Sequence, residues 1–155
     1  MEDELRALGF SNSMDPDAPT CRWTIDSCVV DVIPIGYAMN AYHDEWTPDG
    51  IKYSDRLEVE AGVWIRHVNA PYLVAIKLET FSDRGKGEYQ YSQDIDDIIL
   101  LLDGRPDLIQ EVKDSDTKVG CFIATEFRRL LTVPEFVDAI PAHLVGEEQR
   151  RSANR

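Results

Sequence analysis

Two stretches in the first half of the chain are rich in β-branched and aromatic residues, and the second of them also alternates apolar and polar positions. They span 21–33 and 56–68, and each is interrupted by two residues that favour a turn, at 26–27 and at 61–62. Such stretches on either side of a short turn are typical of an antiparallel hairpin, in which successive side chains point to opposite faces. The first half therefore predicts at least four strands, with a loop at 11–19.

Helical spacing replaces alternation after residue 69. Asn69, followed by Pro71, has the composition of a helix N-terminus. Further along the chain, Ile95, Ile98, Ile99 and Leu102 form an apolar series at helical spacing. Besides a short helix at 2–8, the pattern predicts helices from 70 to about 81 and over 92–102, 106–112, 117–131 and 134–144.

Strands followed by helices indicate the α+β class. At 155 residues, with 43% hydrophobic residues, the chain is long enough to bury one core. We predict a single domain over 1–145, strand-rich in 1–69 and helical in 70–145, followed by a flexible tail at 146–155. The sheet is expected to be small, mixed or antiparallel, with flanking helices.

The formal charge of −13 argues against nonspecific binding of nucleic acid, which relies on clustered lysine and arginine. Cys21, Cys28 and Cys121 lack metal-site spacing, and we expect reduced, mostly buried thiols. The sequence has no secretory signal and no apolar run long enough to cross a membrane, which leads us to expect a cytoplasmic protein.

Asp31 lies between valines in the second strand of the first predicted hairpin, where an isolated carboxylate is costly. Two interpretations stay open. In the predicted register, Arg22 lies across from Asp31, so the two can form a cross-strand ion pair. Alternatively, Asp31 is a metal ligand on a rigid strand.

Four segments carry a resemblance to a known family. They are V-V-D-V at 29–32, A-P-Y-L-V-A-I-K-L-E-T-F at 70–81, D-R-G-K-G at 83–87 and S-Q-D-I-D-D-I-I-L-L-L-D-G-R at 92–105. In this order they resemble the AbiEii/AbiGii-type toxin branch of the nucleotidyltransferase superfamily, over roughly 2–111. The resemblance implies a nucleotidyltransferase-like sheet and the transfer of a nucleotidyl group from a nucleoside triphosphate with Mg²⁺ or Mn²⁺.

The same resemblance implies roles for individual residues. Lys77 would lie near the phosphates, and Arg84 and Lys86 would bind phosphate or the acceptor. Asp94 matches the acidic position of the family's helical motif, and Asp97 matches a supporting position. The structural alternatives are an ordinary solvated or paired charge for each cation and a helix N-cap for Asp94.

Asp31 would be the third metal-binding carboxylate of the family's site. In the family, an Asp-x-Asp strand that follows a Gly-Ser turn supplies the first two, and nothing of this kind precedes Glu2. The Asp-x-Asp spacings at 15–17, 94–96 and 114–116 fall in a loop, a helix and a linker, so none is a replacement. We therefore expect a chain that lacks the front of the fold and is catalytically weak or inactive.

Two functional hypotheses follow. The first is a nucleotidyltransferase-like protein, the toxin component of a toxin–antitoxin pair, truncated or degenerate at its metal site. The second is a non-catalytic binding protein on the same scaffold. The expected partners are a nucleoside triphosphate, an antitoxin protein or an RNA acceptor, and a second copy joined through an open sheet edge.

Overall fold

The computed structural model describes residues 2–15, 17–33, 45–85 and 87–153, with side chains described up to residue 144. The chain forms two compact units, Met1–Asn40 and Ala41–Arg155. Helices combine with two small antiparallel sheets, which confirms the α+β class. The expected sheet is divided into one sheet of three strands and one of two.

The first unit contains a short helix and the three-stranded sheet. Its elements are α1 (Glu2–Ala7), β1 (Ser11–Asn12), β2 (Arg22–Ile25) and β3 (Cys28–Asp31), with strand order β1-β2-β3. Asp26 has a φ of 51° in the two-residue turn, a left-handed conformation that aspartate tolerates. The hairpin is confirmed, whereas the predicted loop at 11–19 is partly wrong because β1 pairs with β2 there.

The cysteines are free, but the expectation that they are buried is wrong. Cys28 and Cys121 are exposed, and Cys21 is half-buried. Cys28 belongs to β3, an edge strand whose residues are all exposed. Alternation in the sequence does not reveal whether a second layer covers the sheet.

The second unit begins with the other predicted hairpin and continues as helices. Its elements are α2 (Thr47–Lys52), β4 (Asp55–Glu60), β5 (Val63–His67), α3 (Ala70–Arg84), α4 (Gln93–Gly104), α5 (Leu108–Asp114), α6 (Thr117–Leu130) and α7 (Pro134–Ala153). α3 continues past the predicted end near Phe81, and α7 continues past the predicted end at Leu144. Within the described residues, no helix is both long and apolar enough to cross a membrane.

The core of this unit forms where the apolar stripes of the helices meet. Leu78 of α3, Ile95 and Ile98 of α4, and Leu130 of α6 are almost completely buried. Side-chain caps fix where α3 and α4 begin: Asn69 accepts a hydrogen bond from the Tyr72 amide, and Ser92 accepts one from the Ile95 amide. The helices are thus positioned by burial of one face and by capping at the start.

Candidate functional site

The charged residues that the resemblance singled out lie where α3 faces α4. We call Lys77, Arg84, Asp94 and Asp97 the α3–α4 charge cluster. Lys77 and Arg84 are seven residues apart, about two helical turns, so they lie on the same side of α3. Asp94 and Asp97 are three apart in α4 and share a side in the same way. Packing of the two helices therefore brings two cations against two acids.

Asp94 is the centre of this cluster. Its Oδ1 accepts a hydrogen bond from Lys77 Nζ at 3.1 Å, and its Oδ2 lies 3.3 Å from Arg84 Nη2. Lys77 Nζ also lies 2.6 Å from Asp97 Oδ2, and Gln93 Nε2 donates to Asp97 Oδ1 at 3.0 Å. One carboxylate thus holds both cations, and a second carboxylate reinforces one of them.

Burial differs sharply within the cluster. The Asp94 side chain is 7% exposed, that of Lys77 is 23% exposed and that of Arg84 is 54% exposed. Burial acts to lower the pKa of Lys77, but hydrogen bonds to Asp97 and Asp94 outweigh it, and the pKa lies above its ordinary value. Lys77 is therefore a firmly protonated, half-buried cation, while Arg84 faces solvent.

The capping hypothesis for Asp94 is wrong. Ser92 is the N-cap of α4 and accepts the Ile95 amide at 3.3 Å. Asp94 is the second residue of α4 and lies in its first turn, where the positive end of the helix dipole stabilises an acid. Its side chain is consequently available to Lys77 and Arg84. Lys86, the remaining cation of the expected site, lies outside the described residues.

Asp31 lies in the first unit, paired with arginine. Arg22 Nε and Nη2 donate to Asp31 Oδ1 and Oδ2 at 2.8 and 2.9 Å, a two-pronged contact between neighbouring strands. The predicted register is confirmed, since Arg22 and Asp31 are cross-strand partners. The hydrogen bond from Arg22 holds the pKa of the exposed Asp31 carboxyl below its usual value.

The described residues do not fit the two-metal arrangement of the resembled family. Both Asp31 oxygens accept hydrogen bonds from Arg22. In the described part of the chain, no three histidine, cysteine, aspartate or glutamate side chains converge on one point. Two divalent ions need several shared carboxylates. His43 and Asp44, which with Glu45 form a run of three potential metal ligands in the sequence, lie outside the described residues.

Sequence reasoning missed a second polar contact, between α4 and α7. His143 is buried; its Nδ1 lies 3.1 Å from Asp96 Oδ1, and its Nε2 lies 2.9 Å from the Tyr89 carbonyl oxygen. A carboxylate and a carbonyl are both hydrogen-bond acceptors, and each lies within hydrogen-bond distance of one ring nitrogen of His143. His143 and Asp96 also line a cavity of about 320 Å³ with Ser92 and Gln93.

The spacing of residues in the sequence does not predict this contact, because His143 and Asp96 are 47 residues apart. The only local signal is a histidine on the apolar side of a predicted helix, which is compatible with many partners. Comparison with known proteins adds no further identification: no family model, no curated protein and no solved structure matches this chain.

Proposed function

We propose that this chain is a nucleotidyltransferase-like protein whose α3–α4 charge cluster contacts the phosphates of a nucleoside triphosphate. The observation that carries the proposal is the convergence of Lys77 and Arg84 on the carboxylate of Asp94. These residues come from separate segments of the resemblance, up to 17 positions apart. Their meeting is what a shared site requires.

The differences in burial assign different roles to the three residues. Arg84 is the most exposed cation of the cluster, and a guanidinium carries five N–H donors. It can therefore contact Asp94 and a phosphate at the same time. Lys77 supplies positive charge behind it, and Asp94 acts as a positioning residue that holds both cations. Lys86 is proposed to extend the same phosphate contact.

Nucleotide binding is proposed without efficient transfer. Because the described residues do not form a two-metal site, Mg²⁺ or Mn²⁺ would be bound mainly by the triphosphate's own oxygens. Asp31 could hold an ion only by exchanging its contact with Arg22. The role of toxin in a toxin–antitoxin pair, with an antitoxin protein or an RNA acceptor as partner, rests on the resemblance alone.

The second candidate is a non-catalytic binding protein on the same scaffold. It is favoured by the neutrality of the charge cluster, in which two acids balance two cations. It is also favoured by the β4–β5 hairpin, which exposes several large apolar side chains. Apolar side chains grouped on a protein surface often mark a contact with another molecule.

A thermal-shift titration tests the first candidate. The purified chain is heated with Mg²⁺ or Mn²⁺ and each nucleoside triphosphate, beside Arg84→Gln and the matched control Arg105→Gln. Arg105 is also half exposed and paired with an acid, Glu111. A ligand at a hundred times its dissociation constant stabilises the native state by about 2.7 kcal/mol. We expect the melting temperature of the parent and of Arg105→Gln to rise on addition of the triphosphate, and that of Arg84→Gln to stay unchanged.

Two other results would contradict parts of the proposal. No shift in the parent with any triphosphate refutes nucleotide binding and leaves the binding-protein candidate. An equal shift in the parent and in Arg84→Gln refutes the cluster as the phosphate site. Asp31→Asn, titrated in parallel, tests the metal role of Asp31: a shift that requires Mg²⁺ in the parent and persists in Asp31→Asn contradicts that role.

A further inference from the structure

The β4–β5 hairpin carries an exposed apolar face. From the register, Leu57 lies across from Ile65, and alternation places Val59 and Val63 on the same face. These four side chains are between 44% and 52% exposed. A two-stranded hairpin is marginal by itself, and a face of this kind is stable in water when something covers it.

The outer edge of β4 is open as well. Among the described strands, β4 pairs with β5 alone, so one row of its backbone N–H and C=O groups has no neighbouring strand. Such an edge can accept another strand through main-chain hydrogen bonds. Addition of a strand there would continue the apolar face of the hairpin into a wider sheet.

We propose that a second copy of this chain occupies this edge, with the two β4 strands antiparallel about a twofold axis at Leu57. A twofold axis pairs a strand with itself, so Leu57 faces Leu57 of the second copy. Arg56 then faces Glu58 of the second copy, and Glu58 faces Arg56. The charges on β4 thus complement those on an identical strand, twice per dimer.

Charge also selects this register over its neighbour. If the axis passed through Glu58, Arg56 would still face a glutamate, Glu60 of the second copy, but two glutamates would also face each other at the axis, which is unfavourable in a cross-strand pair. Glu58 Oε1 accepts the Gly62 amide at 2.8 Å, and a carboxylate has further acceptor positions for the opposing arginine. Arg56 lies over the Trp64 ring at 5.1 Å, which holds its exposed guanidinium on the same face of the hairpin.

The other edge, β5, is less suited to self-pairing. A twofold axis at Ile65 would place Arg66 against Trp64 of the second copy. Arg66 is already tied to its own chain, donating to Ser54 Oγ and to the Ile51 carbonyl oxygen, both at 2.9 Å. The β4 edge is therefore the better candidate. This dimer rests on the binding-protein candidate and does not require nucleotide binding.

Sedimentation velocity of the full chain, under reducing conditions, tests the dimer. We expect a mass of about twice 17.6 kDa at high concentration, falling toward one chain on dilution. Arg56→Glu places four acids together at the interface, and Glu58→Arg places four arginines there. Each single variant is expected to weaken the dimer roughly tenfold or more. The double swap, Arg56→Glu with Glu58→Arg, restores both pairs and the dimer.

Mixing the two single variants is the sharpest arm of the experiment. Each alone has like charges at the axis, but a heterodimer of Arg56→Glu with Glu58→Arg pairs opposite charges twice. We expect a dimer in the mixture and mainly monomer in each variant alone.

A parent that is monomeric at every concentration overturns the proposal, whether the apolar face is covered within the chain or by a different protein. A dimer that is indifferent to both single variants, or a double swap and a mixture that stay monomeric, overturns this edge and this register. Far-UV circular dichroism confirms that each variant is folded. Since none of these substitutions touches the α3–α4 charge cluster, the nucleotide titration succeeds or fails independently.

Discussion

The α3–α4 pair and the β4–β5 hairpin are consecutive in the chain and use their residues in opposite ways. In the helix pair, apolar side chains are buried and Asp94 is enclosed by its two cations. In the hairpin, every residue of β4 is exposed, and charged and apolar side chains both face solvent. Charge is thus paired in the interior of one region and exposed to solvent in the other. The same residue types acquire different roles from burial alone.

The largest expected contrast comes from truncating one leucine in each region. Leu78→Ala removes a side chain that is almost completely buried and should lower the free energy of unfolding by about 2–5 kcal/mol. Leu57→Ala removes an exposed side chain and should cost less than about 1 kcal/mol in dilute solution. Urea denaturation followed by circular dichroism measures both values. Equal costs would mean that the hairpin face is buried in solution.

Asp94→Asn should be nearly as severe. It leaves Lys77 and Arg84 beside an uncharged amide, and breaking a buried ion pair costs up to about 3–5 kcal/mol. Because both cations reach solvent, we expect roughly 2–3 kcal/mol. Asp97→Asn, at a more exposed carboxylate, should cost about 1 kcal/mol or less. The reverse order, measured by urea denaturation, would place the centre of the cluster at Asp97.

Substitution of two glycines in the segments that carry the family resemblance should have smaller effects on stability, in opposite directions. A Cβ at Gly85 would overlap the ring and the carbonyl oxygen of Phe81, so Gly85→Ala should cost about 1–3 kcal/mol. A Cβ at Gly104 would meet nothing within 4 Å, so Gly104→Ala should stabilise the chain by about 0.4–1 kcal/mol. Relative to the parent, the melting temperature should fall in Gly85→Ala and rise in Gly104→Ala. A neutral Gly85→Ala would show that α3 ends less tightly than its contacts indicate.

The exposed Arg22–Asp31 pair should give the smallest effect and a clear dependence on pH. The pKa of Asp31 is lower in the folded state than its unfolded value of 3.8, so the stabilisation is present above that pH. It is lost as the pH falls through the folded pKa. The difference in melting temperature between the parent and Asp31→Asn should therefore shrink in strong acid. A difference that is unchanged there would assign it to a cause other than the ion pair.

Lys77 should behave in the opposite direction. Its folded pKa is raised above 10.5, so its contribution is fully present below that pH and is lost as the pH rises through the folded pKa. Comparing the parent with Lys77→Met across the alkaline range measures it. The two ion pairs thus respond at opposite ends of the pH scale.

Elements that depend on neighbouring residues were predictable from the sequence. Both hairpins and the start of α3 at Asn69 follow from alternation, turn residues and capping, which act over a few positions. The cross-strand partnership of Arg22 and Asp31 followed from the hairpin register. Only the family resemblance predicted that Lys77, Arg84 and Asp94 lie close together, because periodicity alone does not show which faces of two helices meet.

Features that depend on distant residues were not predictable. β1 is only two residues long and exists because β2 lies beside it. His143 and Asp96 meet only after α7 has packed against α4. In each case tertiary structure decides between options that are locally almost equal.

The exposed thiols of Cys28 and Cys121 have a practical consequence for handling the protein. Accessible free thiols oxidise in air, and thiols on two molecules can join as an intermolecular disulfide. Such covalent adducts have the mass of a strand-paired dimer but survive dilution and disappear on a reducing gel. The same two positions, one in each compact unit, accept maleimide dyes. Energy transfer between dyes at these positions would measure the distance between the two units without any engineered cysteine.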